Sequence, residues 1–267
     1  MTPDEGVRPG RGRARRRFRT ALTLAVMLVL MGGAYAWVMP EPVARAQDPA
    51  LVREGEQLYE GSCITCHGAD LRGIPGRAPS IVGAGASAAF FQLSTGRMPL
   101  AQQDGQAQRK APRFTPQQID ALMAYVQVHG GGPVPPEERG AALVGEDASR
   151  GGHLFRLNCA QCHNFTGRGG ALSQGKFAPP LDNASPEQVY TAMQSGPGAM
   201  PVFADTMLTA GEKRDIIAYV LAVRGVGENS PGGQRLGGFG PVSEGFVAFA
   251  VGMAALVGFT LWVGSRR

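Results

Sequence analysis

Cys63-Ile64-Thr65-Cys66-His67 and Cys159-Ala160-Gln161-Cys162-His163 are two copies of one pentapeptide, C-x-x-C-H. They use all four cysteines of the 267-residue chain and two of its four histidines. The spacing is that of c-type haem attachment. Two thiols so placed add across the two vinyl groups of one haem, and the adjacent histidine swings beneath the ring to reach the iron. Two other readings of C-x-x-C exist, a zinc half-site and a thioredoxin-like redox pair. A redox pair has no use for a histidine directly after the second cysteine, and a zinc site built from both copies would leave one histidine over. The expectation is two covalently bound haem c groups.

Outward from these pentapeptides the repeat widens. Gly151, Leu154, Phe155, Cys159, Cys162 and His163 stand at one constant offset from Gly55, Leu58, Tyr59, Cys63, Cys66 and His67. Ala178-Pro179 echoes Ala78-Pro79, the run from Tyr190 to Gly196 echoes Phe90 to Gly96, and Met200-Pro201 echoes Met98-Pro99. Thr115-Pro116-Gln117-Gln118 and the segment from Thr209 to Glu212 both read as capping boxes opening a helix. Apolar residues follow at helical spacing, Ile119, Leu122, Met123 and Val126 in the first copy, Ile216, Val220 and Val223 in the second. Asp48 and Pro49 predict an earlier helix start, and Gly55 sits where a second helix can cross closely. The whole is a tandem duplication of one small helical domain. Its expected limits are 48–132 for the first copy, 133–145 for a linker and 146–224 for the second. The main departure lies between Met-Pro and the last helix, where the first copy is longer and carries Arg109, Lys110 and Arg113. Such loop charges are expected to be solvated, with docking of an acidic partner as the alternative.

Iron bound by histidine on one face takes its character from the ligand on the other. Met98 and Met200 are the candidates, because of ten methionines only these two recur at matching places. The bland alternative for any methionine is core filling. Methionine closes the coordination shell and favours electron transfer over substrate binding. His129 lies at a helix C-terminus, where a structural role is expected. His153 matches Gln57 in the other copy and is expected at the surface.

The composition, with 43% hydrophobic residues, 39 glycines and 20 prolines, suits small loop-rich domains, each needing a staple for its thin core. The net charge of +5 does not indicate nucleic-acid binding. Seven arginines crowd residues 1–19 against Asp4 and Glu5, and Arg266 and Arg267 end the chain, so the termini hold more than the whole excess. Behind the arm, residues 20–40 are uncharged and long enough to cross a bilayer; a cleaved signal peptide is the alternative, with Ala44-Arg45-Ala46 as its cleavage site. Residues 225–244 read as a Gly/Pro-rich tether and 245–265 as a second membrane helix. The positive-inside rule leaves both termini cytoplasmic and the haem domains on the outer face of the cell membrane.

Each repeat resembles a class I cytochrome c, on the Gly/aromatic first helix, the CxxCH, the Met-Pro loop and the last helix bearing Tyr125 or Tyr219. The full chain, with its duplication and C-terminal anchor, resembles the dihaem cytochrome c subunit of the actinobacterial-type cytochrome bc complex. The resemblance implies an all-α fold of two tandem class I cytochrome c domains between two transmembrane helices. It also implies that Cys63, Cys66, His67 and Met98 hold one haem and Cys159, Cys162, His163 and Met200 the other. The implied function is an electron-transfer subunit of a quinol–cytochrome c reductase, with no substrate chemistry of its own. Its implied partners are the Rieske iron–sulfur and cytochrome b subunits and an aa-type cytochrome c oxidase, in the membrane and without nucleic acid. The rivals are a dihaem subunit of another membrane dehydrogenase or of a cbb-type oxidase, and a dihaem peroxidase or sensor.

Overall fold

The computed structural model describes residues 11–38, 48–100, 106–224 and 241–266. The cleavage-site reading at Ala44-Arg45-Ala46, the start of the basic arm with Arg8, most of the tether and Arg267 lie outside these residues.

The N-terminal unit contains helix α1 (Arg11–Val38), so the expected arm is helical from Arg11 onward. Among the described residues its apolar part runs over Phe18–Met31. That is shorter than the roughly 20 residues that cross a hydrocarbon core. Helix α10 (Pro241–Gly264) does qualify, over Val242–Gly264, and its apolar side chains are exposed all round. Exposure of Phe246, Phe249, Leu256 and Phe259 on every side suits lipid as the neighbour.

Between them lie the two copies. In the first, α2 (Pro49–Ser62) begins where Asp48 accepts the Ala50 N–H and Pro49 supplies a preset φ. A single turn, α3 (Ile64–His67), carries the end of the first pentapeptide. Helices α4 (Gly85–Ser94) and α5 (Pro116–Gly130) follow, the latter opened by the Thr115/Gln118 capping box. The second copy repeats the plan with α6 (Ala148–Asn158), α7 (Ala160–His163), α8 (Pro186–Ser195) and α9 (Ala210–Val223).

The first and last helices of each copy cross at a glycine. A methyl group on Gly55 would overlap the Ala121 carbonyl, and one on Gly151 would overlap the carbonyl of Asp215, which is the equivalent residue. Aromatic pairs flank each crossing, Tyr59 with Tyr125 at 4.9 Å and Phe155 with Tyr219 at 5.3 Å between ring centroids. Two separate cores result. One gathers Tyr59, Leu71, Leu93, Phe114, Leu122 and Val126; the other gathers Leu143, Phe155, Tyr190, Met193, Ile216 and Val220. Leu143 lies in a 3-10 turn (Gly140–Leu143) inside the stretch expected to be linker, yet it is completely buried in the second core.

The fold is helix-rich, with a small exception to the all-α expectation. Two-residue strands β1 (Gly170–Ala171) and β2 (Phe177–Ala178) pair antiparallel, Gly170 opposite Ala178. Among the described residues the first copy has only an isolated bridge, Ile74 to Ala78. Elements this short arise from loop closure rather than from an alternating pattern, so no strand period announces them.

The two copies meet through equivalent helices running antiparallel. At one end Ser87 of α4 donates its hydroxyl to Gln194 of α8 at 2.7 Å. At the other, Gln188 of α8 donates to the Ser94 carbonyl and hydroxyl at 3.2 and 3.3 Å. The longer loop of the first copy crosses the same seam. Gln106 exchanges two hydrogen bonds with the backbone of Phe177, at 2.7 and 2.9 Å, and Arg109 donates to Gln188 at 2.8 Å. Arg109, exposed as expected of a loop charge, also reaches across the seam to the other copy.

Candidate functional site: two CxxCH centres

Each site begins with the turn after its pentapeptide. Gly73 and Gly169, at φ +79° and +78°, donate to the carbonyls of His67 and His163, both at 2.8 Å. This left-handed conformation is open to glycine without steric cost. A side chain there would also collide with the backbone of Ala78 and Pro79, or of Ala178 and Pro179. The turn thus lays the Ala-Pro segment against the histidine. His67 Nδ1 lies 3.1 Å from the Pro79 carbonyl oxygen, and His163 Nδ1 lies 3.0 Å from that of Pro179.

A carbonyl oxygen can only accept, so each Nδ1 carries the proton and donates it. Each Nε2 is left with its lone pair available for a metal. Burial also pulls the His163 pKa down, against the opposing pull of its bond to Pro179, which favours the neutral ring that a metal requires. Pro79 and Pro179 act through backbone atoms, and only their recurrence in the sequence hinted at a role.

The thiols behave unlike a redox pair. All four cysteines are free, and burial pushes Cys63 up to about 11 and Cys159 up to about 12. A thiol-exchange motif instead needs a lowered pKa at its nucleophile. Met98 packs on the same core as Cys63 and Ile64, and Met200 on the same core as Cys159 and Ala160. Each expected sixth ligand is thus brought to its own pentapeptide's core. This donor set fits covalent haem c: paired free thiols, an imidazole with its tautomer fixed, and a thioether. Among the described residues no cluster of three or more His, Cys, Asp or Glu side chains could hold a bare metal ion.

A tyrosine hydroxyl fastens the loop after each pentapeptide, from opposite helices. Tyr59 of α2 donates to the Gly68 carbonyl at 2.7 Å, whereas Tyr219 of α9 donates to that of Phe165 at 2.6 Å. His153 is exposed, as expected, and His129 is exposed at the end of α5 with its ring 4.5 Å from Tyr125. Beside Met98, Arg97 lies over the Phe91 ring at 4.9 Å. Burial draws its pKa and that of Arg109 down, and the charge of Arg109 adds to the effect on Arg97.

Comparison with known proteins agrees with this duplicated architecture. A family model described as cytochrome c matches residues 52–129, and one described as cytochrome C oxidase, cbb3-type, subunit III matches residues 146–220. Over nearly its full length the chain is similar to proteins named cytochrome bc1 complex cytochrome c subunit. The relative from Mycobacterium tuberculosis is 48% identical over 96% of this chain and 95% of its own length. That from Mycobacterium leprae is 48% identical over 92% and 87%, and that from Corynebacterium diphtheriae 46% over 95% and 97%. With two cytochrome c domains in tandem and near full-length identity of this order, the chain belongs to the family of cytochrome bc1 complex cytochrome c subunits.

Proposed function

We propose that the chain is a membrane-anchored electron relay in a respiratory quinol–cytochrome c reductase. It takes electrons from the Rieske iron–sulfur protein, beside cytochrome b, and delivers them to an aa-type cytochrome c oxidase. Cys63 and Cys66 attach one haem c, Cys159 and Cys162 the other. His67 with Met98, and His163 with Met200, would hold the two irons. Bound haem supplies reversible one-electron chemistry, and the axial ligand is one control on its potential, within a span of about 0.8 V.

The observation that carries this reading is the histidine lock, made twice with the same backbone partner. The Pro79 and Pro179 carbonyls hold each imidazole in one tautomer and one orientation, so little rearrangement accompanies a change of iron charge. Met98 and Met200 would complete each donor set, which suits electron transfer rather than substrate binding. The match of the second domain to a cbb3-type oxidase subunit favours an alternative placement in such an oxidase, but it covers one domain, whereas the bc1 relatives match nearly the whole chain.

Helix α10 is long and apolar enough to anchor the chain; both termini are read as cytoplasmic and both haem domains as outside, the segment 20–40 serving as a second span although its described apolar part is short. A cysteine placed at Ser265 is then labelled only from the cytoplasmic side.

Haem content tests the attachment sites. Pyridine haemochrome should report two haems per chain, and Cys63→Ala with Cys66→Ala should remove half the signal. Met98→His and Met200→His should each lower one haem potential and slow quinol-driven oxygen uptake while haem stays attached. Loss of both haems from the first double substitution, or unchanged potentials in the second pair, defeats this assignment.

A further inference from the structure

Arg97, directly before Met98, is a half-buried cation with no ion-pair partner among the described residues. Its Nη1 is buried and has no hydrogen-bond partner among the described residues. Only four side-chain atoms share that condition there, and a second, Gln92 Oε1, lies in the same segment 92–98. The five ion pairs among the described residues involve neither Arg97 nor Arg109. Arg109 spends one nitrogen on the neutral amide of Gln188 and otherwise adds a second positive charge nearby.

Two like charges close together, one of them half-buried, with no counter-charge among the described residues, are unfavourable as they stand. A missing anion resolves the arrangement. The group that the first centre is built to hold carries two carboxylates, its propionates, and no other anionic substituent.

We propose that Arg97 is the propionate-binding residue of the first haem, its free Nη1 donating to a haem carboxylate, with Arg109 as the supporting charge at the domain seam. A guanidinium suits the task because its planar fork matches a carboxylate and stays charged under partial burial. The Phe91 ring supports the fork from one face. The second copy has Ala199 before Met200, exposed and uncharged, so this contact belongs to the first haem alone. The inference rests on the assignment of the first centre made above.

The test uses the full-length, haem-loaded protein and its Arg97→Gln and Arg97→Lys variants. Resonance Raman reads the propionate-bending band, and subtraction of variant from wild type cancels the second haem. Arg97→Gln should shift that band and lower the midpoint potential of one haem only, because a cation is removed from beside the iron. Arg97→Lys keeps the charge but loses the fork, so its band should shift less and its potential should lie near the wild-type value. If Arg97→Gln does not accumulate, the band shift in Arg97→Lys alone decides. An unchanged band in the variants that carry haem overturns the proposal. Failure of the underlying assignment shows separately, as wild-type protein lacking a haem or lacking the absorption of methionine-bound ferric iron.

Discussion

Hydroxyl groups on two tyrosines show how little of a duplicated site is copied atom by atom. Tyr125 and Tyr219 occupy equivalent positions, but only Tyr219 bonds to the loop after its pentapeptide; in the first copy Tyr59 does so from the other helix. Tyr125 contributes its ring, set between Tyr59 and His129. Tyr219→Phe and Tyr59→Phe should each cost about 1 kcal/mol, the net worth of one hydrogen bond. Tyr125→Phe should change stability by less than about 0.5 kcal/mol. Denaturant titration of the three variants checks this, and equal costs at Tyr125 and Tyr219 would show that the equivalent positions still do equivalent work. The sequence displays all three tyrosines, but which hydroxyl reaches which carbonyl depends on a displacement of one residue along the acceptor loop.

At the level of elements, the capping boxes that open α5 and α9 differ in one respect that pH can read. Thr115 is paired with Gln118, which does not titrate, whereas Thr209 is paired with Glu212. The Glu212 carboxylate accepts the Thr209 N–H and hydroxyl, both at 2.8 Å, and these bonds hold its pKa below the usual carboxylate range. A depressed pKa means stabilisation that is complete above the unfolded-state value, roughly 4.3, and lost as pH falls through the folded-state value. Glu212→Gln keeps the box geometry, so the stability difference from wild type at pH 7 should shrink as pH drops below about 4. Thermal melts of both proteins across that range check it; a constant difference would assign the cap no charge contribution. These boxes, the Asp48 cap and the glycines at the crossings were legible in advance because each depends on residues close in sequence or recurring in both copies. The β1–β2 pair was not, since two-residue strands carry no period, and Leu143 was not, since Gly and Pro around it mark a loop without saying what the loop buries.

For the whole molecule the decisive contacts are those that no local pattern announces. Ser87 and Gln194, or Gln188 and Ser94, are ordinary helix-surface residues until the two copies are brought together. The same holds for Arg109, whose charge suggested solvent while its partner lay in the other domain. Gln188 is buried and joins Ser94, Arg109 and its own capping residue Ser185. Gln194 joins Ser87 and the Val134 carbonyl. Replacing both glutamines by alanine should cost about 2–3 kcal/mol, from several lost hydrogen bonds at about 1 kcal/mol each. It should also split the calorimetric unfolding of the two haem domains into two transitions. A single undivided transition in that variant would mean that these bonds do not make the domains unfold together.

The antiparallel meeting of α4 and α8 also bears on origin. When two identical subunits touch through the same helix about a twofold axis, every contact is made twice, and a substitution alters both sides at once. A single-domain ancestor that paired in this way would have placed the same residues at both ends of its interface. Fusion of two copies into one chain releases that constraint, because each side then mutates alone. The two sides of the present seam differ: Ser87 meets Gln194 at one end and Ser94 meets Gln188 at the other, while Ser94 stands in one copy where the other has Gln194, and Ala88 where the other has Gln188. Each side of the α4–α8 seam can therefore be altered without altering the other.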